Sequence, residues 1–208
     1  EILQGMLSND LIGFHRSFHV RNFLDCVASE LEATVDYDER TVRFGGHLTK
    51  VSTHAVGIDD QEVAILLEEG KNNKSTVVKD LNTSNLQKMI VGVDRLDYTK
   101  GIPRRLKAVE RLFVRYPQYR GVVSYVGVGS PSRMGIPAYR ALRREVLGLV
   151  DRINTRFQTT SWKPIHYVAD HVDRADTVLL LRDADVCMVT SLDDGMNRGF
   201  DGFVPIFV

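Results

Sequence analysis

Two cations five positions apart, Arg95 and Lys100, flank a short polar loop that follows an apolar run. The guanidinium of Arg95 is a planar fork and the ammonium of Lys100 is a compact point charge, and each suits phosphate oxygens. Gly101-Ile102-Pro103 is typical of a helix start, whose backbone N–H groups would add to the positive field. These residues predict an anion site. A second interpretation stays open at this point, a solvated surface loop whose cations pair with Asp94 and Asp97.

Three later loops also carry polar side chains, and each follows a predicted strand; they are residues 129–133, 169–173 and 191–197. In a parallel sheet the loops after successive strands open on one edge, where ligands bind. Together the four loops bring guanidinium groups, an ammonium group, carboxylates and a histidine into one crevice. Cations would hold phosphates, and carboxylates with Asn would hydrogen-bond sugar hydroxyls. A phosphorylated or nucleotide-linked sugar therefore fits this crevice better than an apolar ligand does.

Single side chains in these loops each allow two interpretations. Arg133 follows a Ser-Pro-Ser turn sequence and is either a second phosphate anchor or a charge at a helix start. His171 either hydrogen-bonds a ligand or has a structural role near the end of a strand. Asp193 and Asp194 form an adjacent carboxylate pair followed by glycine, which lets backbone come close to a ligand. The same pair is also suited to capping a following helix.

The composition limits the classes of partner. In 208 residues, 27 Lys and Arg side chains balance 27 Asp and Glu side chains, so no global field attracts nucleic acid or an anionic membrane. No apolar stretch approaches the roughly 20 residues of a membrane span, and the N-terminus lacks a signal pattern. We therefore expect a soluble, cytoplasmic protein. The two cysteines, Cys26 and Cys187, lie in apolar patterns, which predicts buried thiols in a reducing compartment and neither a disulfide nor a metal site.

The elements that must position these loops alternate regularly in the second part of the chain. Strands separated by helices of this length indicate βαβ units and a parallel sheet. The predicted strands are residues 87–93, 121–128, 164–168 and 185–190, and the predicted helices are residues 102–115, 138–157 and 174–181.

The first part of the chain has a different pattern. A short strand over residues 10–15 precedes a segment with helical spacing, and residues 41–56 are typical of a hairpin turning at Gly45-Gly46. A helix over residues 61–69 follows, with Asp59 as its N-cap. The next residues are polar and without periodicity. We therefore predict three parts: a domain of residues 1–70, a linker of residues 71–85 and a domain of residues 86–208.

Taken together, the loops also carry a family resemblance. The cationic loop and its flanks run Gly92-Val93-Asp94-Arg95-Leu96-Asp97-Tyr98-Thr99-Lys100-Gly101-Ile102-Pro103. This segment strongly resembles the signature of trehalose-6-phosphate synthases, the glycosyltransferases that join glucose from a UDP donor to glucose 6-phosphate. Residues 194–197 are a second specific match. Further segments look like family segments in the family's order, so that the resemblance covers about residues 1–197; they are residues 10–14, 21–24, 131–133 and 166–173.

The resemblance implies an α/β fold of the GT-B type, in which two Rossmann-like domains face each other. The expected architecture is a Rossmann-like parallel sheet with helices on both faces and an incomplete second domain. Residues 1–70, and within them residues 1 to about 57, would form the C-terminal part of the acceptor-side domain. Residues 86–208 would form the donor-side domain that binds UDP-glucose, truncated at its C-terminal end.

The resemblance also assigns site residues. Arg95 and Lys100 match the cations on the donor diphosphate, and Arg133 matches an arginine that reaches the acceptor phosphate. Three of the matched residues, Arg95, Lys100 and Asp194, would act in catalysis. The remaining donor contacts fall in two later loops and are Val172, Asp194, Gly195, Met196 and Asn197.

The implied activity is that of an α,α-trehalose-phosphate synthase (UDP-forming) in trehalose biosynthesis. The chemistry is retaining, resembles a front-face displacement, and uses no protein nucleophile, no cofactor and no metal. The partners would be UDP-glucose and glucose 6-phosphate, and a homo-oligomer or a trehalose-phosphatase domain or subunit is a further possibility. Two alternatives stay open: a non-catalytic, sugar-phosphate-binding regulatory module of the same family, or another GT-B glycosyltransferase with a different acceptor.

The chain departs from the family pattern after Asn197. The family continues there into a helix that opens with Leu-Val and brings a glutamate to the donor ribose. Here Gly199, Gly202 and Pro205 make a poor helix, and Gly202 stands about where the glutamate belongs. The chain also opens without Met in what resembles mid-domain sequence. We therefore expect a fragment whose activity is impaired on its own.

Overall fold

The structure is a computed structural model that describes residues 1–57, 59–79 and 88–192. It divides into two compact units after Gly57.

The first unit is a four-stranded sheet with the strand order β1-β4-β3-β2. Strand β1 is parallel to β4, and the other pairs are antiparallel. Helix α2 lies against this sheet because one side of it is apolar, and Val20, Phe23, Leu24 and Val27 are buried there. The elements are α1 (Ile2–Met6), β1 (Leu11–Phe14), α2 (Ser17–Glu30), β2 (Thr34–Asp36), β3 (Thr41–Phe44) and β4 (His47–Thr53). The predicted first strand, helix and hairpin are thus confirmed.

The second unit contains a parallel sheet with the strand order β7-β6-β5-β8. Helices connect its successive strands, as the alternation predicted. The elements are α3 (Asp60–Glu69), α4 (Thr76–Lys79), β5 (Lys88–Arg95), α5 (Ile102–Arg115), β6 (Val123–Ser130), α6 (Pro137–Phe157), β7 (Ile165–Val168), α7 (Arg174–Arg182) and β8 (Val186–Cys187). Short 3₁₀ helices cover Tyr98–Lys100 and Pro117–Tyr119.

Helices cover both faces of this sheet, which confirms the predicted architecture. Successive side chains of a strand point to opposite faces. Met89 and Val91 of β5 are buried in a core with α4 and α7, whereas Ile90 packs into a separate core with α5 and α6. The sheet is therefore the middle of three layers.

The order of the strands reverses once. The chain proceeds from β5 to β6 and β7 in one direction, and then places β8 on the other side of β5. In open α/β sheets a crevice forms outside the carboxyl ends of the strands at such a reversal, and ligands bind there. The loops after β5 and β8 lie at this point.

The division after Gly57 precedes residues 71–85, where we predicted a linker. Helix α3 belongs to the second unit because it is held by α7: Arg174 pairs with Glu62 at 2.7 Å, and Arg182 donates to the carbonyl of Gly70 at 3.0 Å. The predicted boundary at residue 70 is therefore too late.

Residues 75–79 pack against the rest of the second unit, in contrast to the predicted linker. Val77 and Val78 of α4 are buried against the sheet. The backbone N–H of Thr76 donates to the carboxylate of Asp176 in α7 at 2.6 Å. The polar composition suggested exposure, which holds for residues 71–74, whereas Thr76 is bonded to α7 through Asp176. The remaining residues of the predicted linker, 80–85, lie outside the described residues.

Two other expectations concern the cysteines and membrane-spanning helices. Cys187 is partly buried, but Cys26 is exposed, because it lies on the solvent side of α2; the prediction of a buried thiol is wrong there. None of the described helices combines the length and the apolar character needed to cross a membrane.

Candidate functional site

The cationic loop begins where β5 ends and is shaped by Asp97. The carboxylate of Asp97 accepts hydrogen bonds from the backbone N–H of Thr99 at 3.1 Å and from its hydroxyl at 3.0 Å, which fixes the 3₁₀ turn before α5. Gly101 follows with φ of +64°, in the left-handed region. A Cβ at Gly101 would lie 2.4 Å from the carbonyl oxygen of Thr190, so only glycine fits here.

The chain after β8 runs beside this loop. The N–H of Leu192 donates to the carbonyl of Thr99 at 2.7 Å, and the hydroxyl of Thr190 donates to the carbonyl of Lys100 at 3.3 Å. The segment leading to Asp194 is thereby fastened to the loop that carries Arg95 and Lys100.

A buried arginine lies beneath both segments. Arg105 of α5 has 1% of its surface exposed. Its guanidinium pairs with Asp94 at 2.5 Å and donates to the hydroxyls of Thr190 at 2.9 Å and Tyr125 at 3.4 Å. Gly92 provides the space, since a Cβ there would lie 2.3 Å from Nη1 of Arg105. Burial opposes the charge, but Tyr125 and Asp94 outweigh it and raise the pKa of Arg105.

Helix α5 was predicted from the sequence, but a role for Arg105 was not. A signal was present, because Arg105 stands three residues after Ile102 and four before Val109, on the face whose other members are buried and apolar. A charged residue on such a face has to find a buried partner. The partner is Asp94, the last but one residue of β5.

Arg133 reaches the same edge from the loop after β6. Its backbone has φ of +47°, a conformation uncommon for a residue with a side chain. Its Nη1 donates to the hydroxyl of Tyr139 at 3.3 Å, and this hydroxyl donates to Asp97 at 3.2 Å. The contacts therefore link Arg133 to the cationic loop.

Asp97 is the carboxylate in the middle of this arrangement and is 7% exposed. Burial alone would raise its pKa. The hydrogen bonds from Thr99 and Tyr139, together with the positive charge of Arg95, outweigh burial and hold the pKa of Asp97 below its ordinary value. Both carboxylates of the loop thus have partners from other parts of the chain, Arg105 for Asp94 and Tyr139 for Asp97.

The structure brings several of the predicted site residues to one edge of the sheet. Arg95 is the last residue of β5, Lys100 follows that strand, and Arg133 follows β6. Val172 follows β7 at the same edge and is partly buried against the core beside α7. Four predicted site residues lie outside the described residues: Asp194, Gly195, Met196 and Asn197. The contact of any of these residues with a ligand stays a prediction.

Two further observations concern the chemistry at this edge. The N–H of His171 donates to Asp170 in a turn at 2.7 Å. Across residues 1–57, 59–79 and 88–192, no three His, Cys, Asp or Glu side chains are grouped so that they could hold a metal ion. What the edge offers is hydrogen-bonding groups and the cations Arg95, Lys100 and Arg133.

Comparison with known proteins gives consistent matches. The model of glycosyltransferase family 20 matches residues 1–204. The α,α-trehalose-phosphate synthase (UDP-forming) of Schizosaccharomyces pombe is 41% identical over 202 residues, which are 95% of this chain and 38% of that protein. The 56 kDa subunit of the Saccharomyces cerevisiae synthase is 39% identical over 95% of this chain and 39% of its own length.

Solved structures of trehalose-phosphate synthases also match this chain. A Burkholderia xenovorans synthase in complex with glucose 6-phosphate superposes with a TM-score of 0.90 at 32% identity, over 99% of this chain and 45% of that one. An Escherichia coli structure bound with UDP-2-fluoro glucose gives 0.87 at 29% identity, over 99% and 45%. The chain spans about two fifths of the length of the curated relatives that it matches.

Proposed function

This chain belongs to glycosyltransferase family 20, and from that membership we propose that it forms the donor-binding part of an α,α-trehalose-phosphate synthase (UDP-forming). The expected GT-B fold is confirmed over the part that the chain spans. The proposed reaction transfers glucose from UDP-glucose to glucose 6-phosphate and gives trehalose 6-phosphate and UDP. In this proposal residues 1–57 come from the acceptor side and the second unit from the donor side, in a soluble enzyme of the cytoplasm.

One observation carries the proposal. Three cations that the sequence singled out lie at the carboxyl ends of neighbouring parallel strands, beside the reversal in strand order: Arg95 ends β5, Lys100 follows it, and Arg133 follows β6. Asp97 and Tyr139 link the two loops that carry them. Two separate phosphate groups, one on the donor and one on the acceptor, suit cations divided between two loops.

These residues would act by position and charge. Arg95 and Lys100 would stabilise the negative charge that develops on the departing diphosphate, and Arg133 would orient the acceptor through its phosphate. The bond between the glucose carbon and the diphosphate oxygen breaks while a bond to the acceptor hydroxyl forms on the same face. The proton of that hydroxyl passes to the diphosphate oxygen. No protein nucleophile is needed.

Donor binding is tested by calorimetry of UDP-glucose with the 208-residue chain. Changing Arg95 and Lys100 together to Ala should weaken binding tenfold or more, because each charged hydrogen bond contributes roughly 1.5–3 kcal/mol. The matched control changes Lys107 and Arg111 to Ala, two cations exposed on α5, and should leave the affinity unchanged. Equal affinities in both double variants, or no binding by the unchanged chain, would overturn the donor site.

A non-catalytic binding module of the same family is the second candidate. The observation that favours it is the glycine- and proline-containing sequence after Asn197, with Gly202 about where the family has its glutamate. For this reason we expect little UDP release from the chain alone. A chimera separates the candidates: the matching segment of the S. pombe synthase is exchanged for residues 1–197 of this chain. Release of UDP with both sugars supports the synthase, whereas a folded chimera that binds both sugars without turnover supports the module.

A different acceptor is the third candidate, and Arg133 decides it. If the acceptor carries a phosphate, Arg133→Ala should raise the KM for glucose 6-phosphate in the chimera far more than the KM for UDP-glucose. A non-phosphorylated acceptor would give Arg133 nothing to bind, and the two KM values would then change equally or not at all.

A further inference from the structure

We propose that Tyr139 is a positioning residue for the phosphorylated acceptor. Its hydroxyl holds Arg133 in a fixed orientation against the cationic loop that carries Arg95 and Lys100, called the donor loop below. The inference rests on the proposed function, since it takes Arg133 as the group that meets the acceptor phosphate. It adds a residue to which neither the sequence analysis nor the family resemblance gave a role.

The hydroxyl of Tyr139 joins two loops that are distant in sequence. Tyr139 stands in the first turn of α6 and is 4% exposed. Its oxygen accepts a hydrogen bond from Nη1 of Arg133 at 3.3 Å and donates to Oδ2 of Asp97 at 3.2 Å. Asp97 stands between Arg95 and Lys100 in the donor loop.

The direction of these hydrogen bonds is determined by the chemistry of their ends. An ionised carboxylate only accepts, and a guanidinium only donates. Tyr139 therefore gives its single hydroxyl proton to Asp97 and offers its oxygen to Arg133. A hydrogen-bond chain with charges at both ends strengthens each of its bonds and gives Arg133 one preferred position.

Contacts around the hydroxyl reinforce the same link. The ring of Tyr98, which follows Asp97 in the donor loop, meets the ring of Tyr139 edge-on at 5.8 Å. The guanidinium carbon of Arg133 lies 5.9 Å from the centre of the Tyr139 ring. The first turn of α6 is thus in contact with both substrate loops through one side chain.

The backbone of Arg133 shows why such a support is needed. A non-glycine residue with φ of +47° carries strain that the surrounding structure has to compensate, and such strain is concentrated at functional sites. The residue is exposed, so packing does not fix its long side chain. Tyr139 supplies the buried end of the contact. Without the hydroxyl, the guanidinium would lose its fixed distance from the donor loop.

Loss of the Tyr139 hydroxyl should weaken binding of the acceptor and not of the donor. Tyr139→Phe removes the hydrogen bond to Arg133, while Thr99 still holds Asp97 and the donor loop. In the 208-residue chain loaded with UDP, the affinity for glucose 6-phosphate should fall about fivefold to tenfold. This is less than the loss of a charged hydrogen bond to the ligand would cause, because Arg133 itself stays in place. The affinity for UDP-glucose should stay within about twofold. Tyr119→Phe is the matched control. Tyr119 is 41% exposed and lies before β6, at the opposite end of that strand from Arg133.

A double-mutant cycle separates positioning from general support of the fold. In an Arg133→Ala background, Tyr139→Phe should cause no further loss of affinity for glucose 6-phosphate. Relaxation of the Arg133 Nε signal in NMR should show an ordered side chain in the unchanged protein and a mobile one in Tyr139→Phe.

Each other outcome overturns a defined statement. An unchanged affinity for glucose 6-phosphate in Tyr139→Phe, or an equal loss of affinity for both substrates, would overturn the positioning role. If the unchanged chain binds UDP-glucose but not glucose 6-phosphate, the acceptor assignment of Arg133 fails, and the role of Tyr139 toward an acceptor fails with it. The NMR signal then still shows whether Tyr139 orders Arg133, so that the two failures are told apart.

Discussion

The guanidinium of Arg105 and the carboxylate of Asp94 form an ion pair of 2.5 Å in which the side chains are only 1% and 6% exposed. The pair lies where β5 ends and the cationic loop begins. The pair joins the end of β5 to α5, and breaking it from one side would leave a buried charge without its partner.

Removing Arg105 should therefore be strongly destabilising. Arg105→Met leaves the carboxylate of Asp94 buried without its guanidinium, and breaking such a pair costs about 3–5 kcal/mol. Urea denaturation measures the free energy of unfolding. Lys107→Met, on the exposed side of the same helix, is the control and should change it by about 0.5 kcal/mol or less.

The double variant Arg105→Met with Asp94→Leu should recover much of the lost stability, because it leaves no buried charge at this position. Wild-type stability of Arg105→Met alone would contradict the structural role given to the pair.

The ring of Tyr167 fills space that two glycines of β6 leave open. A Cβ at Gly129 would lie 1.9 Å from the Tyr167 hydroxyl oxygen, so Gly129→Ala should destabilise by about 1–3 kcal/mol through overpacking. Within the described residues this hydroxyl is buried and has no hydrogen-bond partner. Tyr167→Phe should therefore be neutral or stabilising, since no hydrogen bond is lost.

Thermal unfolding of Gly129→Ala in both backgrounds measures the coupling between the two positions. The cost should be smaller when Tyr167 is already Phe, because the atom nearest to the new methyl group is gone. Equal costs in the two backgrounds would show that Tyr167 does not set the limit at Gly129.

The pH dependence of stability should contain a contribution from His166. Burial, and then the charge of Lys163, lower the pKa of His166 from 6.5 to about 4. The unfolded chain therefore binds the proton first as the pH falls, so stability is complete above about pH 6.5 and decreases toward pH 4. The size of the shift corresponds to about 3 kcal/mol between pH 7 and pH 4.

The measurement compares the free energy of unfolding at pH 7 and pH 4 in the wild type and in His166→Gln. The wild type should lose more stability than the variant by that amount. Carboxylates with lowered pKa values, such as Asp176 and Asp185, also lose stabilisation in acid, but they are present in both proteins and cancel. Parallel pH profiles would show that His166 is not held neutral by its surroundings.

The two thiols should differ in reactivity. Cys26 is exposed, whereas burial raises the pKa of the partly buried Cys187 and lowers its thiolate fraction. Reaction with Ellman's reagent at pH 8 should show a fast phase and a slow phase of equal amplitude. Cys26→Ser should remove the fast phase and leave the slow one; loss of the slow phase would reverse the assignment.

The second unit was predictable where sequence periodicity was strong. The helix predicted over residues 102–115 coincides with α5, and the strand predicted over residues 121–128 lies at Val123–Ser130. Each element has a buried face that leaves a repeating pattern in the sequence. The rule that ligands meet the carboxyl ends of parallel strands then brought Arg95, Lys100 and Arg133 to one edge without further information.

What the sequence could not provide is pairing between distant side chains. The hydroxyl of Tyr139 meets Asp97 across 42 positions, and no local pattern records such a contact. The strand predicted over residues 185–190 is only Val186–Cys187 in the structure. The chain beyond it turns toward the cationic loop, where the N–H of Leu192 donates to the carbonyl of Thr99. A tertiary contact of this kind overrides local preference.

The position of β8 next to β5 also has a consequence for translation. Met89 and Asp185 are hydrogen-bonded although 96 positions separate them, and β5, β6 and their connecting helix leave the ribosome long before β8 does. The hydrogen bond from Leu192 to Thr99 can form only after residue 192 has emerged. Contacts close in sequence form before such distant ones. A nascent chain stalled ahead of β8 would therefore hold the cationic loop through Arg105 and Tyr139 but without the hydrogen bonds from Thr190 and Leu192, so that these contacts of the anion site form last.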